Sequence, residues 1–538
     1  PFLTAALSWL NTPVADEADP NAPDKNKNYW SAFGEWYFVG YGEGCAPLEA
    51  WSAKNPIFVI AQVYLNGVSA GEAYLSEVGS QVYAVGTNGY DITEDVKSRL
   101  AARGDQMITN QDIPVPTWFV NYDAADHSLQ YWKTANDCSP SGTQNADYGT
   151  VYVQAGDSDA WQTQYAGPIS KVAVDSRQSL SGREIHDFLT CYTRYDNTSA
   201  YGNALMLRGD YTDVIVNAHK SPDRYAEQKV TMPDGATATM ICTIVDIEGE
   251  PREILFYIPD NASELQPDGA PVITVWAGGS QTNIIFFDST CWWETANQNG
   301  IALIFTNEAY NTSVAVTPAD VDACYHAMLD LLEGWNDSGK FQFDLSRIYS
   351  TGQSMGSMES QQFAQETPDY YAAVASTSFY QDYPDAHSDK PIPTYLINGE
   401  GNGKDDTGTP YDDRWNRTDD WAQYFLRVNG FVYTPAVYAA DGTVTTFGVP
   451  VSEPVFTVTG PYDRFETYTW INGQDIPLVQ YTNSLYRPHN CLTSEIPMLW
   501  DFLEHYRCER DEDGAVTARY YSASAFERND QVLIQFGA

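Results

Sequence analysis

Short apolar runs alternate with helix-like segments through the second half of the chain, and this alternation restricts the fold more than any other feature. Continuous apolar runs of this kind are typical of strands buried on both faces of a mainly parallel sheet. Between them, residues 318–335 carry apolar side chains at helical spacing. The pattern predicts an α/β fold with a doubly wound, mainly parallel sheet over residues 226–538. Its strands are expected at Val272–Trp276, Ala302–Thr306, Arg347–Ser350, Ala372–Ala375, Thr394–Ile397 and Pro477–Tyr481.

The first 225 residues carry a different pattern, in which short strands are separated by turn signals. The run Ile57–Leu65, for example, is followed by Asn66-Gly67, a pair that favours a tight β-hairpin. A chain of 538 residues is long for one domain and suits two or three. We therefore predict a β-rich accessory domain over residues 1–225, ahead of the α/β domain over residues 226–538.

A serine lies between a predicted strand and a predicted helix of the α/β domain. The strand Arg347–Ser350 runs into Gly352–Gly356, which reads Gly-Gln-Ser-Met-Gly, and the helix-compatible stretch Met355–Glu366 follows. In the G-x-S-x-G motif, glycines permit a strained turn that exposes the serine hydroxyl. We predict Ser354 as a nucleophile, with the backbone N–H of Met355 directed at the oxyanion that its attack would create.

A second stretch, Gly67–Gly71, also matches G-x-S-x-G, with Ser69 at its centre. It follows a strand-like run, but Asn66-Gly67 favours a hairpin and no amphipathic helix is evident after it. We therefore do not expect Ser69 to act as a nucleophile.

The predicted strand Val272–Trp276 leads into a glycine-rich loop, Ala277–Thr282. A loop after an earlier strand usually supplies the second oxyanion donor to a serine of this kind. The backbone N–H of Gly279 is the predicted donor, and a simple tight turn is the alternative interpretation.

His489 is the predicted general base. It lies in the loop between the strand Pro477–Tyr481 and the helix-like stretch Glu495–Tyr506, which is the last strand–helix junction of the chain. Parallel strands bring such a loop to the edge of the sheet that carries Ser354. The chain order serine, acid, histidine also fits a catalytic triad on an α/β sheet.

The acid of the triad is expected after the strand Thr394–Ile397, where a carboxylate would hold the imidazole tautomer. Asp405 is the favoured residue. The other candidates are Asp406, Glu400, Asp382 and Asp385, and an ordinary solvated loop remains an alternative because acidic residues are abundant here.

Two adjacent tryptophans, Trp292 and Trp293, follow the glycine-rich loop. Aromatic side chains at this point either belong to the core or line a cleft for an acyl or aromatic group. We predict the second role, in substrate binding.

The charge balance excludes several classes of partner. The chain carries 29 Lys and Arg against 72 Asp and Glu, a formal net charge of −43. Nucleic acids and anionic membrane surfaces attract clustered positive charge, so neither is an expected partner. No apolar run approaches the ~18–20 residues that a membrane-spanning helix needs.

Eight cysteines are scattered along the chain without a C-x-x-C pair, and no Cys/His cluster has the spacing of a zinc site. No metal or other cofactor is expected. An even number of cysteines suits disulfides in a secreted protein, and buried free thiols are the alternative. We predict secretion, although no signal peptide is visible in the chain.

Together these residues resemble the polyhydroxybutyrate depolymerase and feruloyl esterase group of α/β-hydrolases. The resemblance covers about residues 228–507 and implies an α/β-hydrolase fold. It departs from the group at the acid, because Asn402 stands where an Asp is common, and at Ala277-Gly278, where His-Gly is usual. The stretches that carry it are Val275–Thr282, Asp344–Gly356 with Pro368–Ala375 after it, and Pro488-His489 with Leu499–Leu503.

The sequence therefore predicts a serine carboxylic-ester hydrolase in which Ser354 attacks the ester and His489 acts as the base. The resemblance implies a polyester or a feruloyl-type ester as the substrate. Two alternatives stay open: a serine peptidase or amidase with the same residues, and a non-catalytic binding protein on this fold, which the Asn402 departure suggests.

Overall fold

The chain forms two compact units, Pro1–Arg208 and Gly209–Ala538, in a computed structural model. The second unit thus begins before the predicted boundary at residue 225 and includes the helix Asp213–Lys220. The structure describes residues 4–6, 36–81, 109–122, 126–155, 169–194, 205–209, 211, 213–247, 249–278, 281–306, 318–378, 380, 384–399, 418–434, 437–438, 444–446, 455–459, 465–484, 491–512 and 514–537.

The first unit is built on a six-stranded sheet with the order β1-β2-β3-β6-β5-β4. Strands β1, β2, β3 and β6 are parallel, and β5 and β4 continue the sheet antiparallel. The strands are β1 (Trp36–Tyr41), β2 (Val59–Leu65), β3 (Thr117–Val120), β4 (Thr143–Asn145), β5 (Gly149–Val153) and β6 (Lys171–Asp175), and the helices are α1 (Cys45–Lys54), α2 (Glu72–Gly79), α3 (Asp126–Ala135) and α4 (Gly182–Leu189). A two-stranded ribbon, β7 (Tyr192–Thr193) with β8 (Met206–Leu207), follows.

Helices cover both faces of this sheet. Neighbouring residues of β3 point to opposite faces, with Phe119 packed among side chains of α1–α3 and Trp118 packed against α4. The prediction of a β-rich domain is therefore wrong for the described part of this unit, which is α/β. Helix α1 shows why the pattern was missed: it buries small or polar residues such as Ala53 and Glu49, so its apolar periodicity is weak.

The hairpin predicted at Asn66-Gly67 is also wrong. Asn66 has a left-handed φ of 51°, as such turns require, but the chain then continues into α2. Strand β2 pairs in parallel with β1 and β3 instead.

The second unit is built on an eleven-stranded mixed sheet. Its strand order is β19-β20-β21-β16-β15-β14-β12-β13-β11-β10-β9. Six central strands, from β21 to β13, are parallel, and antiparallel strands flank them on both sides. The strands are β9 (Tyr225–Thr231), β10 (Thr237–Ile247), β11 (Glu250–Pro259), β12 (Ala270–Trp276), β13 (Ala302–Thr306), β14 (Phe343–Gly352), β15 (Ala373–Thr377), β16 (Thr394–Gly399), β19 (Val455–Thr459), β20 (Phe465–Ile471) and β21 (Pro477–Ser484).

The predicted α/β architecture of this half is confirmed, and each predicted strand overlaps an observed one. The apolar runs form strands because both faces of the central sheet are covered, and every side chain of β12, β13 and β15 is buried. The helices are α5 (Asp213–Lys220), α6 (Ala262–Leu265), α7 (Asn283–Thr290), α8 (Trp292–Asn299), α9 (Pro318–Ser338), α10 (Met355–Glu366), α11 (Thr418–Val428) and α12 (Glu495–Leu503). Smaller sheets are β17 (Val437–Tyr438) with β18 (Val444–Thr446), and β22 (Tyr506–Arg510) with β23 (Val516–Tyr521) and β24 (Val532–Leu533).

All eight cysteines lie among the described residues and carry thiols rather than disulfides, which resolves the choice that the sequence left open. Burial raises the pKa of the Cys45 thiol to about 11 and that of Cys138 to about 12, so both stay protonated at neutral pH. None of the described helices is long and apolar enough to cross a membrane.

Candidate active site

The strands that precede the predicted catalytic residues end at one edge of the large sheet. Strands β12, β14, β16 and β21 are parallel, so their carboxyl ends lie on the same side. Their last residues also match in register, since Trp276 pairs with Gly352 and Gly399 pairs with Ser484. The topology therefore directs the chain segments that follow all four strands to the edge that carries Ser354.

Ser354 occupies a strained turn between β14 and α10. Its φ of 57° and ψ of −117° lie far from the regions that residues with a side chain normally adopt. Its N–H donates to the carbonyl oxygen of Thr377 at 3.3 Å, and its own carbonyl accepts from the N–H of Met358 at 3.0 Å. The side chain is partly exposed. This is the exposed, strained strand-to-helix turn that the motif predicts for a nucleophilic serine.

The two motif glycines are required by close backbone contacts. A Cβ on Gly352 would lie 2.2 Å from the carbonyl oxygen of Gly356, and a Cβ on Gly356 would lie 2.0 Å from that of Trp276. Both obstacles are backbone atoms, which cannot rotate away. The strand, the turn and the helix pack so tightly here that only glycine fits on either side of Ser354.

Met355 is the first residue of α10, so its N–H has no acceptor within the helix. It is available to a developing oxyanion, and the positive end of the helix dipole lies beside it. In the loop after β12, the N–H of Gly278 donates to Oε1 of Gln281 at 2.9 Å. A Cβ on Gly278 would lie 2.6 Å from the side-chain oxygens of both Gln281 and Gln353. Gly279, the predicted second donor, lies outside the described residues.

The predicted base and the favoured acid also lie outside the described residues. His489 falls in segment 485–490, and Asp405, Asp406, Glu400 and Asn402 fall in segment 400–417. Their roles stay predictions. Of the upstream acid candidates, Asp382 is likewise outside the described residues, whereas Asp385 is exposed in a short 3₁₀ turn, Pro384–Ala386. An exposed carboxylate does not match the buried one that orients a catalytic imidazole.

Trp292 and Trp293 lie at the start of α8, and each is only 1% exposed. Side chains buried to this degree offer no surface to a ligand in this structure. The placement agrees with the alternative interpretation of these tryptophans as core residues rather than with the predicted role in substrate binding.

Two residues behind the nucleophile turn were not predicted. Oε2 of Glu495, at the start of α12, accepts a hydrogen bond from Oγ1 of Thr377 at 2.8 Å. Both side chains are buried in the sheet edge beneath Ser354. The sequence held one signal for this pair, an acidic residue that opens the otherwise mainly apolar helix Glu495–Leu503.

The second G-x-S-x-G stretch has a different structure. Helix α2 follows it, with Leu75 and Val78 buried on one face and exposed residues on the other, so the expectation that no amphipathic helix comes after Ser69 is wrong. Ser69 does not have a positive φ, and two residues separate it from the first residue of α2. Its Oγ lies 3.4 Å from Nε2 of His127. The N–H of Ala70, which corresponds to that of Met355, donates to the carboxylate of Glu49 at 2.6 Å.

No family model and no curated protein sequence matches the chain. Among solved structures, it is similar to an acetyl xylan esterase from Aspergillus awamori, with 13% identity and a TM-score of 0.33 over 49% of this chain and 98% of that one. It is also similar to an S-formylglutathione hydrolase from Staphylococcus aureus, with 19% identity and a TM-score of 0.26 over 37% and 87%. A feruloyl esterase module from Clostridium thermocellum gives 10% identity and a TM-score of 0.24 over 30% and 67%. Likeness at this level carries no argument about activity.

Proposed function

We propose that the protein is a serine hydrolase that cleaves carboxylic esters through an acyl-enzyme. One observation carries this proposal: Ser354 sits at φ 57° between a buried parallel strand and a helix, with glycines on both sides that no other residue can replace without a backbone clash. Such strain is costly, about 1–3 kcal/mol, and persists where a function requires the geometry. A turn that only connected a strand to a helix would not need it.

The chemistry follows from the groups around this turn. Oγ of Ser354 attacks the ester carbonyl carbon while His489 takes the hydroxyl proton. The carbonyl oxygen becomes an oxyanion that accepts hydrogen bonds from the N–H groups of Met355 and Gly279. As the intermediate collapses, the imidazolium returns its proton to the leaving alcohol, and the acyl group stays on Ser354. Water, deprotonated by His489, then releases the acid and restores the serine.

We assign the second unit to the α/β-hydrolases as part of the same proposal. Two features support this assignment. The oxyanion loop, the serine and the predicted base follow three parallel strands of one sheet, β12, β14 and β21, and so leave the sheet at one edge. The chain order of serine, predicted acid and histidine is the order of that fold.

The substrate class that we propose is a polyester or a feruloyl-type ester. The support is the resemblance of the motif stretches given above. A soluble panel of hydroxyalkanoate oligomers, aryl diesters and methyl ferulate separates the candidates, and the largest kcat/KM identifies the class.

A fluorophosphonate probe tests the central proposal. The probe should form a covalent adduct that mass spectrometry locates at Ser354, and Ser354→Ala should not react. Absence of labelling in the folded wild-type protein would support the alternative of a non-catalytic binding protein. If the probe reacts but only amides turn over, the protein is a serine amidase or peptidase instead.

A further inference from the structure

We infer that Glu495 is a positioning residue for the nucleophile turn and that it acts through Thr377. The inference rests on the proposed function of Ser354, which it deepens by naming what holds the serine in its strained conformation. Glu495 does not need to touch the substrate for this role, because the effect passes through a side chain and a backbone carbonyl.

Glu495 is a fully buried carboxylate, with 0% of its surface exposed. A buried charge is costly unless hydrogen bonds stabilise it. Glu495 is the first residue of α12, where the positive end of the helix dipole favours an anion, and Oε2 accepts the hydrogen bond from Thr377. A carboxyl group buried at this position, with Thr377 as a hydrogen-bond partner, is unusual for a purely packing role.

Thr377 connects this carboxylate to the serine. It is the last residue of β15, and its carbonyl accepts the N–H of Ser354 at 3.3 Å. It also forms an isolated parallel β-bridge with Gln353, the residue before the serine. The hydroxyl of Thr377 thus binds Glu495 while its backbone holds the strained turn. Displacement of Thr377 would move the partner of the Ser354 amide directly.

The residue after Thr377 adds to the constraint. Ser378 has a positive φ of 69°, its N–H donates to the carbonyl of Ile397, and its Oγ lies 3.3 Å from Oγ1 of Thr377. The carbonyl of Thr377 therefore accepts a hydrogen bond from one serine with a positive φ, Ser354, and Thr377 is followed directly by another, Ser378. Strain at two neighbouring points persists only where surrounding contacts over-determine the backbone, and the Thr377–Glu495 contact is one of them.

The place of Glu495 in the chain gives the contact a second consequence. Helix α12 begins a few residues after His489, the predicted base. The Thr377–Glu495 hydrogen bond therefore joins α12, which follows the predicted base, to the end of β15, which holds Ser354. Because catalysis is sensitive to displacements of about 1 Å, this bond should affect kcat more than KM.

The test compares Thr377→Val, which keeps the shape but removes the hydroxyl, with Thr377→Ser, which keeps the hydroxyl. Thr377→Val should lower both kcat on a soluble ester and the rate of fluorophosphonate labelling by about tenfold, the order expected for the loss of one buried hydrogen bond. KM should change little, and Thr377→Ser should restore most of the rate. Glu495→Leu, which leaves no acceptor for the Thr377 hydroxyl, should also slow labelling, and the double variant should be no slower than the slower single variant, since the two residues act as a pair.

Glu49→Leu is the matched control. Glu49 is equally buried, at 0% exposure, but lies in the first unit. This variant should lower the melting temperature without slowing the labelling of folded protein. If Thr377→Val and Glu495→Leu do the same, Glu495 is only a stabilising residue and the inference is overturned.

The outcomes also separate this inference from the proposed function. If the wild-type protein is labelled at Ser354 and both variants are labelled at the wild-type rate, the inference fails while the proposed function stands. If the folded wild-type protein is not labelled and turns over no ester, the proposed function itself fails. Should Thr377→Val not fold, Glu495→Leu alone decides, because it removes the acceptor of the Thr377 hydroxyl and labelling at the wild-type rate would contradict positioning through Thr377.

Discussion

Two stretches of this chain share the pattern G-x-S-x-G and share a topological position, yet their backbones differ. Gly67–Gly71 lies between the buried parallel strand β2 and α2, and Gly352–Gly356 runs from the last residue of the parallel strand β14 into the start of α10. Ser354 has a φ of 57° and directly precedes its helix, whereas Ser69 has no positive φ and lies further from its helix. The comparison shows that the same motif letters occur in two different turns, and of the two serines it is Ser354 that has the strained backbone expected of the proposed nucleophile.

The surroundings of the two serines reinforce this difference. Nε2 of His127 lies 2.9 Å from the carbonyl oxygen of Ala70, which can only accept, so a hydrogen bond between them uses Nε2 as a donor rather than as a base for Ser69. The carboxylate of Glu49 occupies the N–H of Ala70, where an oxyanion would have to bind. Tyr122 and Trp132 donate to the same carboxylate. The site around Ser69 is thus built to hold a carboxylate in place rather than to stabilise a transition state.

The largest expected effect is the loss of activity when the serine of the strained turn is removed. Ser354→Ala should reduce ester hydrolysis by a factor on the order of 10⁴–10⁶, because a nucleophile and its base act as one unit. Ser69→Ala should leave the rate nearly unchanged. Steady-state rates on a chromogenic ester measure both. If Ser354→Ala keeps more than about a tenth of wild-type activity, or if Ser69→Ala loses most of it, Ser354 is not the nucleophile that we propose.

Alanine in place of the glycine two residues after each serine should also be more damaging at the Ser354 turn than at the Ser69 turn. Gly356→Ala should destabilise the second unit by about 1–3 kcal/mol or more and disrupt labelling of Ser354, because its Cβ meets a backbone oxygen at 2.0 Å. Gly71→Ala should be nearly neutral, since nothing lies within 4 Å of the added Cβ. Thermal melts and probe labelling of both variants provide the measurement. Equal tolerance of alanine at the two positions would contradict the close packing of the Ser354 turn.

A fragment spanning residues 209–538 tests whether the second unit hydrolyses esters without the first unit. Ser354, Thr377 and Glu495 all belong to the second unit, and so do the predicted residues His489 and Asp405. The fragment should keep turnover of a small soluble ester, and it should lose activity on an insoluble polymer if the first unit contributes a second contact surface. Circular dichroism and gel filtration first establish that it is folded. A folded fragment without activity on p-nitrophenyl acetate would show that the first unit completes the active site.

The smallest expected effect is an opposite response of the two units to pH. Burial, with a further contribution from Asp501, raises the pKa of Glu504 to about 7. Its contribution to stability is therefore complete below the ordinary value of 4.5 and is lost as the pH rises through 7. In the first unit, hydrogen bonds from Ser181 and Arg177 lower the pKa of Glu184 to about 2. Its contribution is present above 4.5 and is lost as the pH falls through 2.

Two glutamine variants measure this difference. Glu504→Gln should increase the free energy of unfolding at pH 8 by an amount on the order of 1–3 kcal/mol, which raises the melting temperature. At pH 4 it should have little effect. Glu184→Gln should lower the melting temperature at pH 7 more than at pH 3. The opposite ordering for Glu504→Gln, with the larger gain at pH 4, would show that Glu504 does not retain its proton in the folded state.

Local pattern in the sequence was enough to predict the parallel core of the second unit. The apolar runs of β12 and β13 and the helix Met355–Glu366 appear where they were expected, because burial on both faces and helical spacing are properties of consecutive residues. The strand–serine–helix turn was predictable for the same reason. The roles of His489 and Asp405, which lie outside the described residues, stay predictions.

Only the tertiary structure decided which of the two motif serines is strained and what holds it. The helical character of α1 was hidden because its buried side chains are small or polar, and Trp292 and Trp293 proved to be core residues. Thr377 and Glu495 are 118 positions apart in the sequence, so no local pattern indicates that their side chains are in contact. Backbone strain and long-range hydrogen bonds arise from the packing of distant segments, and they separate Ser354 from Ser69 where the motif itself does not.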